Sequence, residues 1–259
     1  MGYVSAERRN ADGYSDLIHQ VSEKTGGVAK PQANQPQLDQ LLGGSRLGRQ
    51  TQRLSASVLS IRNYHRHGEL YADFLRARKS IFVDTKCWAL PHTDGMEFDQ
   101  YDTPQSRSVV IHEFGRVLGG VRLLPTTARC GCYSYMLRDA QLGLIDEIPE
   151  YVLYEKAPVA AHIWEATRLF ISHDIPTEQR LSVQTKLMTT MARAARCESA
   201  THVIGIVPAV FQRWLGRLGI GALPLGPKLK IGGDTTQAAV MHVAGAAINY
   251  DERQPILMN

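Results

Sequence analysis

The stretch IWEATRLFI at residues 163–171 decides the fold, because it is a short apolar run that carries two opposite charges. Its isoleucine, leucine and phenylalanine residues predict a buried β-strand. In a regular strand Glu165 and Arg168, three residues apart, point to opposite faces. A β-bulge near Ala166 would turn both side chains towards one site, and bulges are common beside active sites. Because a buried charge needs a partner, this strand indicates a functional site on the sheet.

The segments before this strand predict further parts of the same sheet. SVVIHEF at 108–114 and VLGGVRLLP at 117–125 are typical of two strands joined by a short hairpin. VLSIRN at 58–63 predicts an earlier strand, and residues 67–81 place apolar side chains at helical intervals. The order is therefore strand, helix, then a strand hairpin.

The segments after it alternate between helix and strand. Residues 178–196 predict an amphipathic helix with Thr177 as its N-cap. A strand is expected at 202–208, a helix at 209–219 and a late strand at 239–244. Strands that first meander and then alternate with helices predict an α/β sandwich of mixed sheet and flanking helices.

An acidic run lies ahead of the hairpin. GMEFDQYD at 95–102 contains three clustered carboxylates, Glu97, Asp99 and Asp102. Such runs are commonly solvated turns, but a carboxylate among like charges has a raised pKa and is a better base. We expect Arg122 and Arg168 to counterbalance the repulsion, because unpaired carboxylates are costly to desolvate.

An aromatic and cationic helix precedes the acidic run. Arg78 and Phe82 are four residues apart and share one helix face, and Trp88 follows in the next loop. Aromatic residues at helical spacing are commonly core residues. Two of them flanking an arginine just before an acidic loop favour a site for a cationic ligand.

In this order and spacing the residues closely resemble the acyl-homoserine-lactone synthases, the bacterial autoinducer synthases of the GNAT-like superfamily. The resemblance covers residues 58–245. The matching residues are Arg78, Phe82, Trp88, Asp99, Asp102, Arg122, Glu165 and Arg168. The resemblance implies a GNAT-like three-layer α/β/α sandwich with a mixed, mostly antiparallel central sheet that splays near the fourth strand.

The resemblance also implies a reaction. S-adenosyl-L-methionine is the substrate that supplies the amine, and an acyl carrier protein thioester, or acyl-CoA, supplies the acyl group. The product is an N-acyl-L-homoserine lactone used in quorum sensing, methylthioadenosine leaves, and no separate cofactor is needed. Two alternatives stay open: a related acyltransferase that makes an open-chain N-acyl amino acid, and a non-enzymatic protein that binds an acyl carrier.

The expected roles follow from side-chain chemistry. Phe82 and Trp88 stack on the adenine or sulfonium, Asp99 and Asp102 neutralise the cation, and Glu97 or Glu165 takes the amine proton through water. Arg78 belongs to the substrate-binding set, and Arg122 and Arg168 to the catalytic set. Which carboxylate is the base is left open.

The chain departs from the family in two places: Lys86-Cys87-Trp88 stands where Leu-Gly-Trp is commoner, and a long N-terminal extension precedes the matching region. In addition, Gly205 occupies a position that is hydroxylated in some relatives with a 3-oxo-acyl preference. Gly205 thus speaks against a 3-oxo substrate and is expected to line the acyl-chain pocket beside the splayed strands.

Composition limits the alternatives. The net charge of +4 is modest and no run of basic residues occurs, so a nucleic-acid surface is not expected. No segment is long and apolar enough for a membrane span, and the N-terminus lacks the apolar region of a signal peptide, so we expect a cytoplasmic protein. The four cysteines lack zinc-site or disulfide spacing, which predicts reduced thiols and no metal.

The first 55 residues differ in kind from the rest. They are polar and rich in glycine, serine and glutamine, with few apolar residues. We therefore expect a loosely ordered extension at 1–55 ahead of a single catalytic domain at 56–259.

Overall fold

The computed structural model describes residues 54–244, with gaps at 209–210, 212–214, 217–219 and 232. The predicted extension at 1–55 lies outside the described residues except for Leu54 and Ser55, and stays a prediction. Most of the helix predicted at 209–219 also lies outside them.

Within the described residues, nine strands form one large and one small sheet. They are β1 (Ser55–Leu59), β2 (His92–Thr93), β3 (Met96–Glu97), β4 (Arg107–Glu113), β5 (Arg116–Pro125), β6 (Ile163–Ile171), β7 (His202–Pro208), β8 (Ala222–Ile231) and β9 (Asp234–His242). The large sheet has the order β1-β4-β5-β6-β7-β9-β8, and β2 pairs with β3. Among the described strands of the large sheet, only the β6–β7 pair is parallel, which confirms the mixed, mostly antiparallel sheet.

Helices cover both faces of the large sheet. They are α1 (Leu70–Arg78), which continues as a π-helix (Lys79–Thr85), α2 (Met136–Gln141) and α3 (Thr177–Cys197). Val183, Leu187 and Met191 of α3 pack against one face, while α1 and α2 pack against the other. This arrangement confirms the three-layer sandwich.

Most elements agree with the sequence prediction, and the exceptions lie at the ends of elements. Thr177 is the first helical residue rather than the N-cap. The first strand lies earlier than the predicted 58–63, because Asn63 folds the chain back: its side-chain amide bonds the Ser60 N–H at 2.7 Å and the Val58 carbonyl at 2.9 Å. The last strand begins at Asp234 instead of 239.

The centre of the sheet is bulged and splayed. Arg122 pairs with Thr167 and Gly120 with Phe170, so Arg168 and the next residue together oppose one residue of β5. This is the predicted bulge, two residues later than expected, and Arg168 has a positive φ of 53°. On its other side β6 pairs with β7 over three residues only, ending at Glu165 opposite Ile204. The two strands separate beyond that pair, as expected for a splayed sheet.

Candidate active site

Three arginines and three carboxylates form one buried cluster between α1, the acidic run and the bulge. Arg78 donates to Glu97 at 2.6 Å and to both oxygens of Asp102 at 2.7 and 2.9 Å. Arg122 donates to Asp99 at 2.5 and 3.1 Å and lies 2.9 Å from Asp102. Arg168 donates to Asp99 at 2.8 Å and to Glu97 at 3.2 Å. The cluster thus joins Arg78, Glu97, Asp99, Asp102, Arg122 and Arg168.

The arginines decide the protonation of this cluster. Burial raises the pKa of Asp99 and Asp102, but the neighbouring guanidinium groups outweigh burial and hold both pKa values below their usual range. The prediction that like charges raise these pKa values was therefore wrong. Three arginines face three carboxylates, so the formal charges of the cluster balance, and the arginines keep Asp99 and Asp102 ionised.

Burial separates the cluster into a front and a back. The side chains of Arg78, Arg122 and Glu97 have no exposed area, whereas 8% of the Arg168 side chain is exposed. Of the cluster only Asp99 and Arg168 line the neighbouring cavity. Arg78, which we expected in the substrate-binding set, lies behind this front and holds the acidic run in place.

The bulge brings Arg168 to the cluster. Thr167 keeps its place in the ladder and accepts a hydrogen bond from Arg122 Nε at 3.0 Å. The extra residue then turns the Arg168 guanidinium to the same sheet face as Glu165. The two charges therefore share a face, but Arg168 contacts the acidic run and Glu165 does not.

Two stacked aromatic rings stand beside Arg168. The ring of Phe82 lies 5.1 Å from that of Trp88, and the guanidinium of Arg168 lies 5.7 Å from the Phe82 ring. Phe82 belongs to the π-helix, a rare element that is frequent at functional sites. No described residue accepts a hydrogen bond from the buried indole N–H of Trp88, so that donor is available to a ligand.

A cavity of about 530 Å³ opens beside these rings. Following the expectation from the sequence, we call the part lined by Phe82, Trp88, Asp99 and Arg168 the amine end and the opposite part the acyl end. The acyl end is lined mainly by apolar side chains, namely Met136, Ile145, Ile148, Ile206, Phe211 and Ile231. Lys86 and Asp234 also line the cavity and form an ion pair of 2.5 Å, which links the loop before Trp88 to the start of β9.

Glu165 lies under the acyl end, where its described hydrogen-bond partners are backbone amides rather than the arginines of the cluster. It is fully buried, and its two oxygens accept hydrogen bonds from the backbone N–H groups of Met136 and Leu137 at 2.9 and 2.7 Å. Burial raises the pKa of Glu165 to about 7, although the two amides and Arg122 oppose the rise. Glu165 therefore anchors the start of α2 and does not line the cavity.

Gly205 lies beside the cavity and is not among its lining residues. A Cβ at this position would come within 2.5 Å of the Ala166 carbonyl oxygen. The glycine thus permits the close approach of β6 and β7 just where they begin to separate. Its neighbour Ile206 lines the cavity instead, because successive residues of a strand point to opposite faces.

Two polar residues beside the acyl end were missed from the sequence. The Tyr101 hydroxyl donates to Asp139 at 3.0 Å, and Asp139 also accepts from Ser134 N at 2.8 Å and Ser134 Oγ at 2.5 Å. Tyr101 stands in the acidic run, which could have drawn attention to it. Nothing in the sequence pairs it with a residue 38 positions later.

Other features bear on the class of site. Within the described ranges, no group of three histidine, cysteine or acidic side chains is placed to hold a metal ion. All four cysteines are exposed free thiols. No helix in the part of the chain that the structure describes is long and apolar enough to span a membrane.

Sequence comparisons agree with this geometry. The family model described as autoinducer synthase matches residues 62–249. The chain is 28% identical over 172 residues to the acyl-homoserine-lactone synthase of Pseudomonas aeruginosa, covering 65% of this chain and 77% of that protein. It is 26% identical over 188 residues to the isovaleryl-homoserine lactone synthase of Bradyrhizobium diazoefficiens, covering 72% and 78%.

Solved structures share the fold. The AHL synthase LasI superposes with a TM-score of 0.63 at 22% identity, covering 78% of this chain and all of that one (100%). TofI, in a ternary complex with an inhibitor and MTA, gives a TM-score of 0.56 at 26% identity, covering 73% and 91%.

Fold and site together define an acyltransferase of the GNAT-like α/β sandwich class. More narrowly, the chain belongs to the autoinducer synthase family and is an enzyme of the acyl-homoserine-lactone synthase type.

Proposed function

We propose that the enzyme binds S-adenosyl-L-methionine at the amine end, and the acyl chain of an acyl carrier protein or acyl-CoA thioester at the acyl end. The amine nitrogen attacks the thioester carbonyl, the carbon–sulfur bond breaks, and the thiol leaves. The carboxylate oxygen of the homoserine part then attacks its own γ-carbon. The carbon–sulfonium bond breaks, and methylthioadenosine leaves as the lactone ring closes. The reaction consumes S-adenosyl-L-methionine as a substrate, calls for no separate cofactor and takes place in the cytoplasm.

The observation that carries this proposal is the composition of the cavity. The substrate is a cation with an ammonium group, a carboxylate and a sulfonium. The amine end offers Asp99 for the ammonium, Arg168 for the carboxylate, and the Phe82–Trp88 pair for the sulfonium or adenine. The adjoining acyl end is apolar, as an acyl chain requires. Relatives support the same ligands: TofI was solved with MTA, and BjaI with SAM and isopentyl-CoA.

The candidate bases differ in their access to the amine. Glu97 has no exposed area and bonds Arg78 and Arg168, and Glu165 bonds two backbone amides. Asp99 is the carboxylate of the cluster that lines the cavity. We assign it the ammonium group, with cavity water carrying the released proton onward.

The splay offers a place for the thioester. Beyond Glu165 and Ile204 the facing backbone edges of β6 and β7 are no longer paired with each other. Ala166, Thr167 and Ile206 line the cavity at this gap. A carbonyl lying there would meet backbone N–H groups, which are suitable donors for a developing oxyanion.

A stoichiometric assay tests the proposal. Purified enzyme given S-adenosyl-L-methionine and an acyl carrier protein thioester should release free thiol and methylthioadenosine in equal amounts, because both bonds break in each turnover. Thiol without methylthioadenosine would indicate an open-chain acyltransferase. Release of neither product, from the carrier protein or the CoA thioester, would contradict the proposal.

A further inference from the structure

The acidic run of the amine end is physically joined to the acyl end by one side chain. The ring of Tyr101 lies 5.5 Å from the Arg122 guanidinium, and its backbone N–H bonds Asp99 at 2.9 Å. Its hydroxyl bonds Asp139 of α2 at 3.0 Å, and its side chain lines the cavity between the two ends. A buried tyrosine hydroxyl requires a partner, so this bond fixes the distance between the acidic run and α2.

The carboxylate of Asp139 in turn fixes the start of α2. It is fully buried and accepts hydrogen bonds from both the backbone N–H and the hydroxyl of Ser134. Two residues further on, Met136 begins the helix, and its side chain lines the acyl end. The Asp139 carboxylate has no arginine among its described hydrogen-bond partners, so each hydroxyl or amide donor matters to its burial.

We infer that Tyr101 is a positioning residue that acts through Asp139 to hold the acyl wall at α2 against the amine end. This inference rests on the proposed function. The inference gives the Tyr101 hydroxyl a role in binding the acyl donor. Tyr101 itself belongs to the acidic run, which contacts the arginines of the amine end. The inference also makes Asp139, outside all the residues expected from the sequence, part of acyl-donor selection.

The test separates the two substrates. Tyr101→Phe keeps the ring beside Arg122 and removes the hydroxyl. We expect KM for the acyl donor to rise about tenfold, because a buried carboxylate loses a donor, and KM for S-adenosyl-L-methionine to change less than about twofold. The products should also spread over a wider range of acyl lengths. Tyr133→Phe is the matched control, because its ring contacts Tyr101 edge-on at 6.3 Å and the Tyr101–Asp139 bond stays intact. It should behave as the wild type.

A second variant tests the route through Asp139. Asp139→Asn should raise KM for the acyl donor similarly, and the double variant Tyr101→Phe/Asp139→Asn should be little worse than either alone, because one bond is broken twice. Additive effects would overturn the coupling. If Asp139→Asn does not fold, the acyl-length profile of Tyr101→Phe decides the matter.

Three results would overturn the inference: equal changes in both KM values, no change in either, or a fall in kcat alone that is the same for every acyl length. The last would mean that the hydroxyl acts on the reacting group. If the wild type releases no methylthioadenosine, the proposed function fails separately. Binding of a non-reactive acyl-amide analogue to Tyr101→Phe then tests the inference, and unweakened binding would overturn it.

Discussion

The two ends of the cavity hold their carboxylates in opposite ways. At the amine end Asp99 and Asp102 are bound by arginines, which keep their pKa values low despite burial. At the acyl end Glu165 is bound by two backbone amides, and burial raises its pKa to about 7. The same chemical group is thus a permanent charge at one end and a titrating group at the other.

This difference fits the substrates of the two ends. A cluster of paired arginines and carboxylates can face a substrate with three charged groups, because Asp99, Arg168 and the aromatic pair each match one of them. An acyl chain needs an apolar wall, and a carboxylate behind that wall is tolerable when backbone donors satisfy it. The bulge at Arg168 separates the two environments along a single strand.

The largest expected effect comes from breaking the amine end at its centre. Arg122→Ala leaves Asp99 and Asp102 buried without their shared cation, so we expect the free energy of unfolding to fall by about 3–5 kcal/mol and activity to be lost. Urea denaturation measures this. Arg76→Ala is the control, because Arg76 pairs with Asp73 on the surface and should cost less than about 1 kcal/mol. Equal stability of both variants would contradict a buried, mutually dependent cluster.

A milder change tests the cavity-facing carboxylate. Asp99→Asn keeps the shape but removes the charge that we assign to the ammonium, so turnover should fall at least about tenfold while the protein stays folded. Asp73→Asn, on the exposed face of α1, is the matched control and should retain wild-type turnover. Wild-type rates in Asp99→Asn would exclude Asp99 from the reaction and would move the amine elsewhere in the cavity.

Glu165, behind the acyl end, should make the stability of the protein depend on pH in the sense opposite to that of Asp99 at the amine end. The pKa of Glu165 rises from 4.5 to about 7 on folding, so the folded state binds this proton more tightly than the unfolded state. This contribution is therefore fully present below pH 4.5 and is lost as the pH rises through 7, by up to about 3 kcal/mol. Glu165→Gln removes this contribution. The free energy of unfolding of the variant, relative to that of the wild type, should therefore be higher at pH 8 than at pH 5.

Denaturation of both proteins at the two pH values measures this difference. Asp99→Asn is the internal comparison. Because the Asp99 pKa is lowered, its contribution is complete above the ordinary value of 3.8 and is lost only at lower pH, so the stability difference between that variant and the wild type should be the same at pH 5 and pH 8. A pH-independent difference for Glu165→Gln would mean that Glu165 titrates normally in the folded protein.

The sequence predicted those helices and strands whose apolar residues repeat at regular intervals. The strand at 163–171 and the helix around 178–196 are found within a residue of their expected bounds, because their apolar residues repeat with one clear period. Strand β8 was missed because Pro224, Gly226 and Pro227 break its pattern. As an edge strand it tolerates them, which only the complete sheet reveals.

The sequence predicted which residues belong to the site better than it predicted how they pair. The charged residues named from the sequence do cluster, but which arginine binds which carboxylate depends on contacts between residues 19 to 71 positions apart. The sign of the pKa shifts followed from those pairings, so repulsion within the acidic run alone gave the wrong direction. Residues such as Asp139 carry no local signal, because their partners come together only in the fold.

The smallest expected effect lies in acyl-chain length and separates the two ends most cleanly. We first expected the chain beside Gly205, but its neighbour Ile206 lines the cavity and Gly205 does not. Ile206→Phe should fill part of the acyl end and shift products towards shorter chains. Selectivity should change on the order of tenfold, the low end of the discrimination that one or two methylene groups give in an apolar pocket. KM for S-adenosyl-L-methionine should not change, because the amine end is untouched.

Gly205→Ala is the comparison: its new methyl group would meet the Ala166 carbonyl oxygen, so it should lower stability rather than alter chain length. Mass spectrometry of the lactones gives the chain lengths, and thermal denaturation gives the stability. A shift to shorter chains in Gly205→Ala, with none in Ile206→Phe, would place the acyl chain between the splayed strands rather than in the cavity beside them.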